Sequence, residues 1–153
     1  MIAIEKILVP TDLSDYSRNA LTYATELAST YGAILHLLHV VDSHWVGPTG
    51  AAEFPGQIAD FMQRFQEEGE REVEEMKEAI DGIRVETAVV LGIPHVEIVR
   101  YARQRKVDVI VLTTHGRTGL SHALIGSVAE KVVQMAPCPV LTIKHPEHEF
   151  VMP

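Results

Sequence analysis

The chain has 153 residues, 46% of them apolar, which is enough for one domain with a core of its own. Its formal net charge of −8 argues against non-specific binding to nucleic acid or to an anionic membrane, since both need basic patches. The single cysteine, Cys138, excludes an intramolecular disulfide and fits a reducing cytoplasm; between Pro137 and Pro139 it reads as a small packed side chain. The apolar runs are too short to span a membrane, and Met1–Lys6 lacks the basic-then-apolar order of a secretory signal.

Along the chain the apolar period switches repeatedly between 2 and 3.6. Lys6 to Pro10 predicts a short buried strand. Ser14 is suited to cap a helix that runs to about Tyr31, with Ala20, Leu21, Ala24, Leu27, Ala28 and Tyr31 on one face and Gly32 as its stop. Ile34 to Val41 predicts the second strand. Residues 42–56 read as a loop, on the strength of Gly47-Pro48, Gly50 and Pro55-Gly56. A long acidic helix follows from about Ile58 to Ile80, with Ile58, Phe61, Met62, Phe65, Val73, Met76 and Ile80 as its apolar stripe and the glutamates on a solvated face.

Arg84 to Leu91 predicts a third strand, and Gly92-Ile93-Pro94 turns into a helix ending near Lys106. Val109 to Thr113 predicts a fourth strand, Val128 to Met135 a fourth helix, and Val140 to Lys144 a last strand. Residues 1–145 then form one domain and 146–153 a tail. Strands of continuous apolar character alternating with helices imply an α/β domain. Its expected form is a single, doubly wound, five-stranded parallel sheet with helices on both faces. Ligands of such sheets bind beyond the carboxyl ends of the strands, at the point where the strand order reverses.

Two polar strand ends stand out, Pro10-Thr11-Asp12 and Thr113-Thr114-His115-Gly116; if their strands are neighbours, both face one crevice. The second leads into Arg117-Thr118-Gly119 and, with nine residues between Gly116 and Gly126, into Gly126-Ser127 at a helix start. Glycines without Cβ let phosphate oxygens approach the backbone, the N–H groups of a helix start favour an anion, and Arg117 can add a charge-assisted contact. A carboxylate at Asp12 would repel phosphate but suits a ribose diol, which offers two O–H donors. There is no G-x-x-x-x-G-K-[ST] loop, no G-x-G-x-x-G after the first strand, and no nucleophile elbow. None of the eight histidines falls in a zinc spacing; His36 and His39, inside a strand, read as structural, and His115 is the one placed by the loop.

Several segments together carry a family resemblance: Lys6-Ile7-Leu8-Val9-Pro10-Thr11-Asp12, Leu38-His39-Val40-Val41, Gly92-Ile93-Pro94, His115 to Gly119 with Gly126 to Val132, and Pro137 to Leu141. Over residues 4 to 144 the chain resembles the universal stress protein family, in its nucleotide-binding branch. The branch motif is G-x-x-G, nine residues, then G-[ST]; Gly116 and Gly126-Ser127 match it, and Thr113 stands where the first glycine would be. The resemblance implies a Rossmann-like, adenine nucleotide alpha-hydrolase-like fold and a cytoplasmic homodimer joined through Val140 to Lys144. It implies ATP or AMP as ligand, with Mg2+ or Mn2+ carried on the nucleotide and no dedicated metal site. Val40, Pro10 and Thr11 would meet adenine, Asp12 the ribose, Leu112 and Thr113 the adenosine, and Gly116, Gly126, Ser127, Val128 and Ala129 the phosphates, with His115, Arg117 and Gly119 completing the loop. A hydroxyl residue found in some relatives is replaced here by Ala129.

Four functions are open to such a chain. It could be a nucleotide-dependent regulatory switch with an unknown protein partner. It could be a slow ATPase or autophosphorylating enzyme, although no general base or Mg²⁺ carboxylate is evident beside the expected γ-phosphate. A nucleotide-free dimeric stress protein is favoured only by Thr113. A phospho-receiver would need an aspartate after the third strand, which ends Val89-Val90-Leu91-Gly92. The sequence favours binding over turnover.

Overall fold

The structure, a computed structural model, describes residues 2–45, 55–114 and 125–144. Among them are five strands, β1 (Lys6–Thr11), β2 (Ile34–Asp42), β3 (Val85–Gly92), β4 (Val109–Thr113) and β5 (Val140–Ile143). Four α-helices accompany them: α1 (Asp15–Tyr31), α2 (Pro55–Glu78), α3 (Pro94–Arg105) and α4 (Ser127–Met135). Every strand pair is parallel, and the sheet order is β3-β2-β1-β4-β5. The order reverses between β1 and β4, so the doubly wound arrangement expected from the alternation is present.

Pleating divides the core into two layers. Ile7, Val9, Leu35, Leu37 and Val111 pack with Ala20, Ala24 and Ala28 of α1 and Val73 and Met76 of α2. Leu8, Leu38, Ile110 and Leu112 face the other way, onto Ile98, Tyr101 and Ala102 of α3 and Ala129 and Val132 of α4. The alanines of α1 recur every four residues and are fully buried, which lets the helix lie close to the sheet. Cys138 packs half-buried against the second layer, and burial pushes its thiol above the ordinary range.

The helix ends follow the local chemistry. The Ser14 side chain accepts the Ser17 N–H at the start of α1, and Gly32, at φ 67°, takes the left-handed conformation that ends it. Pro94 opens α3, and Lys106 adopts the same left-handed stop at φ 53° without being glycine. At the amino end of the sheet, the Asp108 carboxylate accepts the N–H groups of Glu5 (2.8 Å) and Lys6 (2.9 Å). The Lys6 ammonium donates to the Arg105 carbonyl at 2.9 Å. These bonds fasten the start of β1 to the α3–β4 turn.

Three expectations change. Helix α2 starts at Pro55, so Pro55-Gly56 belong to its first turn and not to a loop; a first turn tolerates proline because its N–H has no intrahelical partner. Phe61 and Phe65 are exposed and pack edge to face on each other, with ring centroids 4.5 Å apart. The inner face of α2 instead follows Met62, Gln66, Gly69, Val73 and Met76, with Ile80 just past the helix end, and each Phe lies one residue, about 100°, off that line. Tyr31, at the last turn of α1, is also exposed. A 3-10 turn, Ser43–Trp45, follows β2; Gly47, Pro48 and Gly50 of the expected loop lie outside the described residues, as does the expected tail.

Candidate functional site

The condition set by the two polar strand ends is met: β1 and β4 are neighbours, with Ile7 opposite Val109 and Leu8 opposite Ile110. Both strands run the same way, so Thr11-Asp12 and Thr113-Thr114 emerge at one end of the sheet, beside the reversal of strand order. Pro10, Val40 and Leu112 share the face of Leu8, Leu38 and Ile110 by the alternation of each strand, with Leu112 buried and Pro10 and Val40 half-buried. They form an apolar wall at the carboxyl ends of three adjacent strands. Thr113, half-buried, pairs with Ile143 of β5.

Asp12 is held by the turn that follows β1. Its Oδ1 accepts the Ser14 N–H at 3.0 Å and also the Ser14 hydroxyl. This is an Asx-type turn, in which a carboxylate folds onto the backbone two residues ahead. A carboxylate can accept about four hydrogen bonds, so the turn orients Asp12 without using its full acceptor capacity. Thr11 is buried; its Oγ1 accepts the Leu13 N–H at 3.0 Å and lies 2.8 Å from the Ser17 hydroxyl. Leu13 between them sits at φ 65°, a left-handed conformation costing a branched residue about 1–2 kcal/mol, and its side chain is packed against the first core layer. Packing and the two flanking hydrogen bonds hold that strain in place.

The second half of the crevice is the start of α4. Thr114 is buried, its N–H donates to the Ile143 carbonyl at 3.0 Å, and its carbonyl accepts the Gly126 N–H. Gly126, at φ −72° and ψ 154°, is the N-cap of α4 and supplies no side-chain acceptor to the first turn. The contrast with α1 is chemical: α1 is capped by Ser14, whereas the N–H groups at Ser127, Val128 and Ala129 meet a glycine. Ser127 and Val128 are exposed and Ala129 is buried against the second core layer. His115, Gly116, Arg117 and Gly119 lie outside the described residues.

His39, which as a strand residue reads as structural, also reaches the end of β1. Its Nδ1 lies 2.9 Å from the Thr11 carbonyl, on the residue just before Asp12. The signal available was its register: Thr11 and His39 are paired across β1 and β2. His36 lies near the opposite end of β2, buried, with Nδ1 3.1 Å from the Tyr101 hydroxyl and 3.8 Å from the Glu86 carboxylate. Burial holds its imidazole below the ordinary range, Glu86 opposing and Arg105, Lys6 and Arg84 adding to the effect. Among the described residues no group of three His, Cys, Asp or Glu side chains could hold a metal ion, and no helix is long and apolar enough to cross a membrane.

Comparison with known proteins agrees with this fold. The model of the universal stress protein family matches residues 3–144. Universal stress protein MJ0531 of Methanocaldococcus jannaschii is 37% identical over 147 residues, covering 95% of this chain and 85% of the relative. The solved structure of MJ0577 from the same organism, whose biochemical function was assigned from that structure, superposes with a TM-score of 0.82 at 33% identity over 94% of this chain and 98% of the other. A more distant one, the universal stress protein of Archaeoglobus fulgidus in complex with dAMP, shares the fold at TM-score 0.59 and 22% identity over 94% of this chain and all of the other. A family description spanning nearly the whole chain, and a relative sharing more than a third of its residues, show that this chain belongs to the universal stress protein family.

Proposed function

We propose that the chain binds an adenine nucleotide, ATP or AMP, in the crevice between β1 and β4 and acts as a nucleotide-dependent switch rather than as an enzyme. The observation that carries this reading is the adjacency of β1 and β4, which brings the Asp12 turn and the glycine-capped start of α4 to one end of the sheet. The residues fit such a ligand. Pro10, Thr11, Val40, Leu112 and Thr113 offer an apolar bed with backbone polar groups for the base. Asp12 would accept from the ribose hydroxyls. The backbone N–H groups from Gly126 to Ala129, with the Ser127 hydroxyl, would receive phosphate at the positive end of the helix. The dAMP complex of a distant relative indicates that this fold can accommodate an adenine nucleotide.

Binding over turnover is favoured by what surrounds the crevice. Among the described residues, Asp12 is the acid at the ends of β1 and β4, and in this reading its place beside the ribose and its bonds to Ser14 set it apart from a base at the terminal phosphate. The partner of the switch would include a second copy of the chain, joined through β5, which lies at the edge of the sheet with β4 as its neighbour and Leu141 exposed. Calorimetry with ATP, ADP, AMP and NAD tests the reading. Heat of binding with ATP or AMP, and no phosphate release over hours, is the expected result. Absence of heat with every adenine nucleotide, or sustained phosphate release, overturns it.

A further inference from the structure

Gly69 lies near the middle of α2, a 24-residue helix, where glycine is the weakest helix former apart from proline. It is buried, and it points at β2. A Cβ added there would lie 2.8 Å from Cδ2 of His39 and 3.4 Å from the Val89 side chain. The first distance is too short for two carbons, so the imidazole occupies the space that any other residue at 69 would fill.

The same imidazole reaches the crevice. Its Nδ1 lies 2.9 Å from the Thr11 carbonyl oxygen. A carbonyl only accepts, so Nδ1 carries the proton and donates. The peptide joining Thr11 to Asp12 is planar, so fixing its carbonyl also fixes the Asp12 N–H, which points the opposite way. Three groups then set this one strand end: His39 on the carbonyl, the Leu13 N–H on the Thr11 hydroxyl, and Ser14 on the Asp12 carboxylate.

We infer that His39 is a positioning residue of the nucleotide crevice, braced from behind by the absence of a side chain at Gly69. Through the Thr11–Asp12 peptide it aims the carboxylate assigned to the ribose. It has no contact with the nucleotide itself. This inference rests on the nucleotide reading above and adds to it a link between the crevice and the long helix on the far side of β2.

The test compares His39→Leu, His39→Asn and Gly69→Ala in the full chain, by calorimetry with AMP and ATP and by thermal melting. Asparagine places an N–H where Nδ1 stands, so His39→Asn should bind within about twofold of the wild type. His39→Leu should bind about five- to tenfold more weakly, the loss of one hydrogen bond. Gly69→Ala should also weaken binding while its melting temperature stays near that of the wild type, the better helix propensity of alanine being set against the crowding of the imidazole by the added Cβ. A purely structural role would instead move melting and affinity together and would not be rescued by asparagine. Long-range nitrogen–proton correlation at pH above neutrality, with His39→Asn to assign the signal, should give the Nδ1–H tautomer for His39. Wild-type affinity in both His39→Leu and Gly69→Ala, or an Nε2–H tautomer, overturns the inference and leaves the nucleotide reading standing. A wild-type chain that binds no adenine nucleotide overturns both.

Discussion

The Gly126 N–H donates to the Thr114 carbonyl, and this bond seats the start of α4 directly on the end of β4. The Thr114 N–H in turn donates to the Ile143 carbonyl, so strand, helix start and edge strand are tied at one point. A ligand reaching the first N–H groups of α4 therefore meets a fixed backbone and not one that must be ordered on binding. Ordering a loop or side chain on binding costs affinity, and a pre-set site avoids that loss.

Gly126→Val should separate binding from folding. The backbone there is extended, in a region any residue adopts, so the substitution costs the fold only about 0.5–1 kcal/mol as a poorer N-cap. The branched side chain would stand in the path of the phosphate, and affinity for AMP or ATP is expected to fall at least about tenfold, or about 1.4 kcal/mol. Calorimetry beside a melting curve reads both quantities. An unaltered dissociation constant would remove the helix start from the site.

Asp12 should govern the choice between ribose and deoxyribose. A hydrogen bond to a carboxylate contributes about 1.5–3 kcal/mol, so the wild type should prefer AMP to dAMP by about tenfold or more. Asp12→Asn keeps an acceptor for the Ser14 N–H and hydroxyl while losing the charge. Its AMP and dAMP affinities should converge. Equal affinities in the wild type would place the ribose elsewhere.

Leu141 should report on self-association. It is exposed at the edge of the sheet, opposite Val111 of β4. Leu141→Glu puts a charge into the pairing surface and is expected to turn a dimer into a monomer, measured by sedimentation velocity. A wild-type chain that sediments as a monomer at micromolar concentration would contradict the edge-strand assembly.

His36 should give the fold a pH dependence of definite sign. Its ordinary value is 6.5, and burial lowers it in the folded chain. As pH falls below 6.5 the unfolded imidazole gains its proton before the folded one does. The unfolded state then binds more protons, and stability drops with pH. The contribution of His36 is therefore present above 6.5 and is lost as pH falls through the lower folded value. Denaturant midpoints measured from about pH 7.5 down to 5 should fall, and His36→Gln should flatten part of that slope. An identical slope in the variant would show that other groups cause it.

Much of the fold was legible because its signals are local. Ser14, Gly32 and Pro94 mark helix ends through their own backbone chemistry, and each does so in the structure. The apolar strands announced a parallel sheet because both faces are covered. Reading the site depended on one non-local fact, the pairing of β1 with β4, which the two polar strand ends could suggest but not establish. What escaped the sequence was the fine phase of α2. Phe61 and Phe65 look like core by type, yet the inner line runs through Gln66 and Gly69, and the place of Gly69 is set by the His39 and Val89 side chains it faces. His39 was hidden for the same reason: its role depends on a partner 28 positions away in sequence.

The Asp108 bonds to Glu5 and Lys6, and the Lys6 bond to Arg105, all lie at the end of the sheet opposite the crevice. The molecule thus separates durability from recognition along the length of its strands. Clamps can be strengthened or loosened at the floor, changing how long the protein survives heat, while the ligand-facing rim stays as it is. Conversely, the rim can be rewritten for a different ligand with the floor still fastened, which makes this scaffold open to change at one end and conservative at the other.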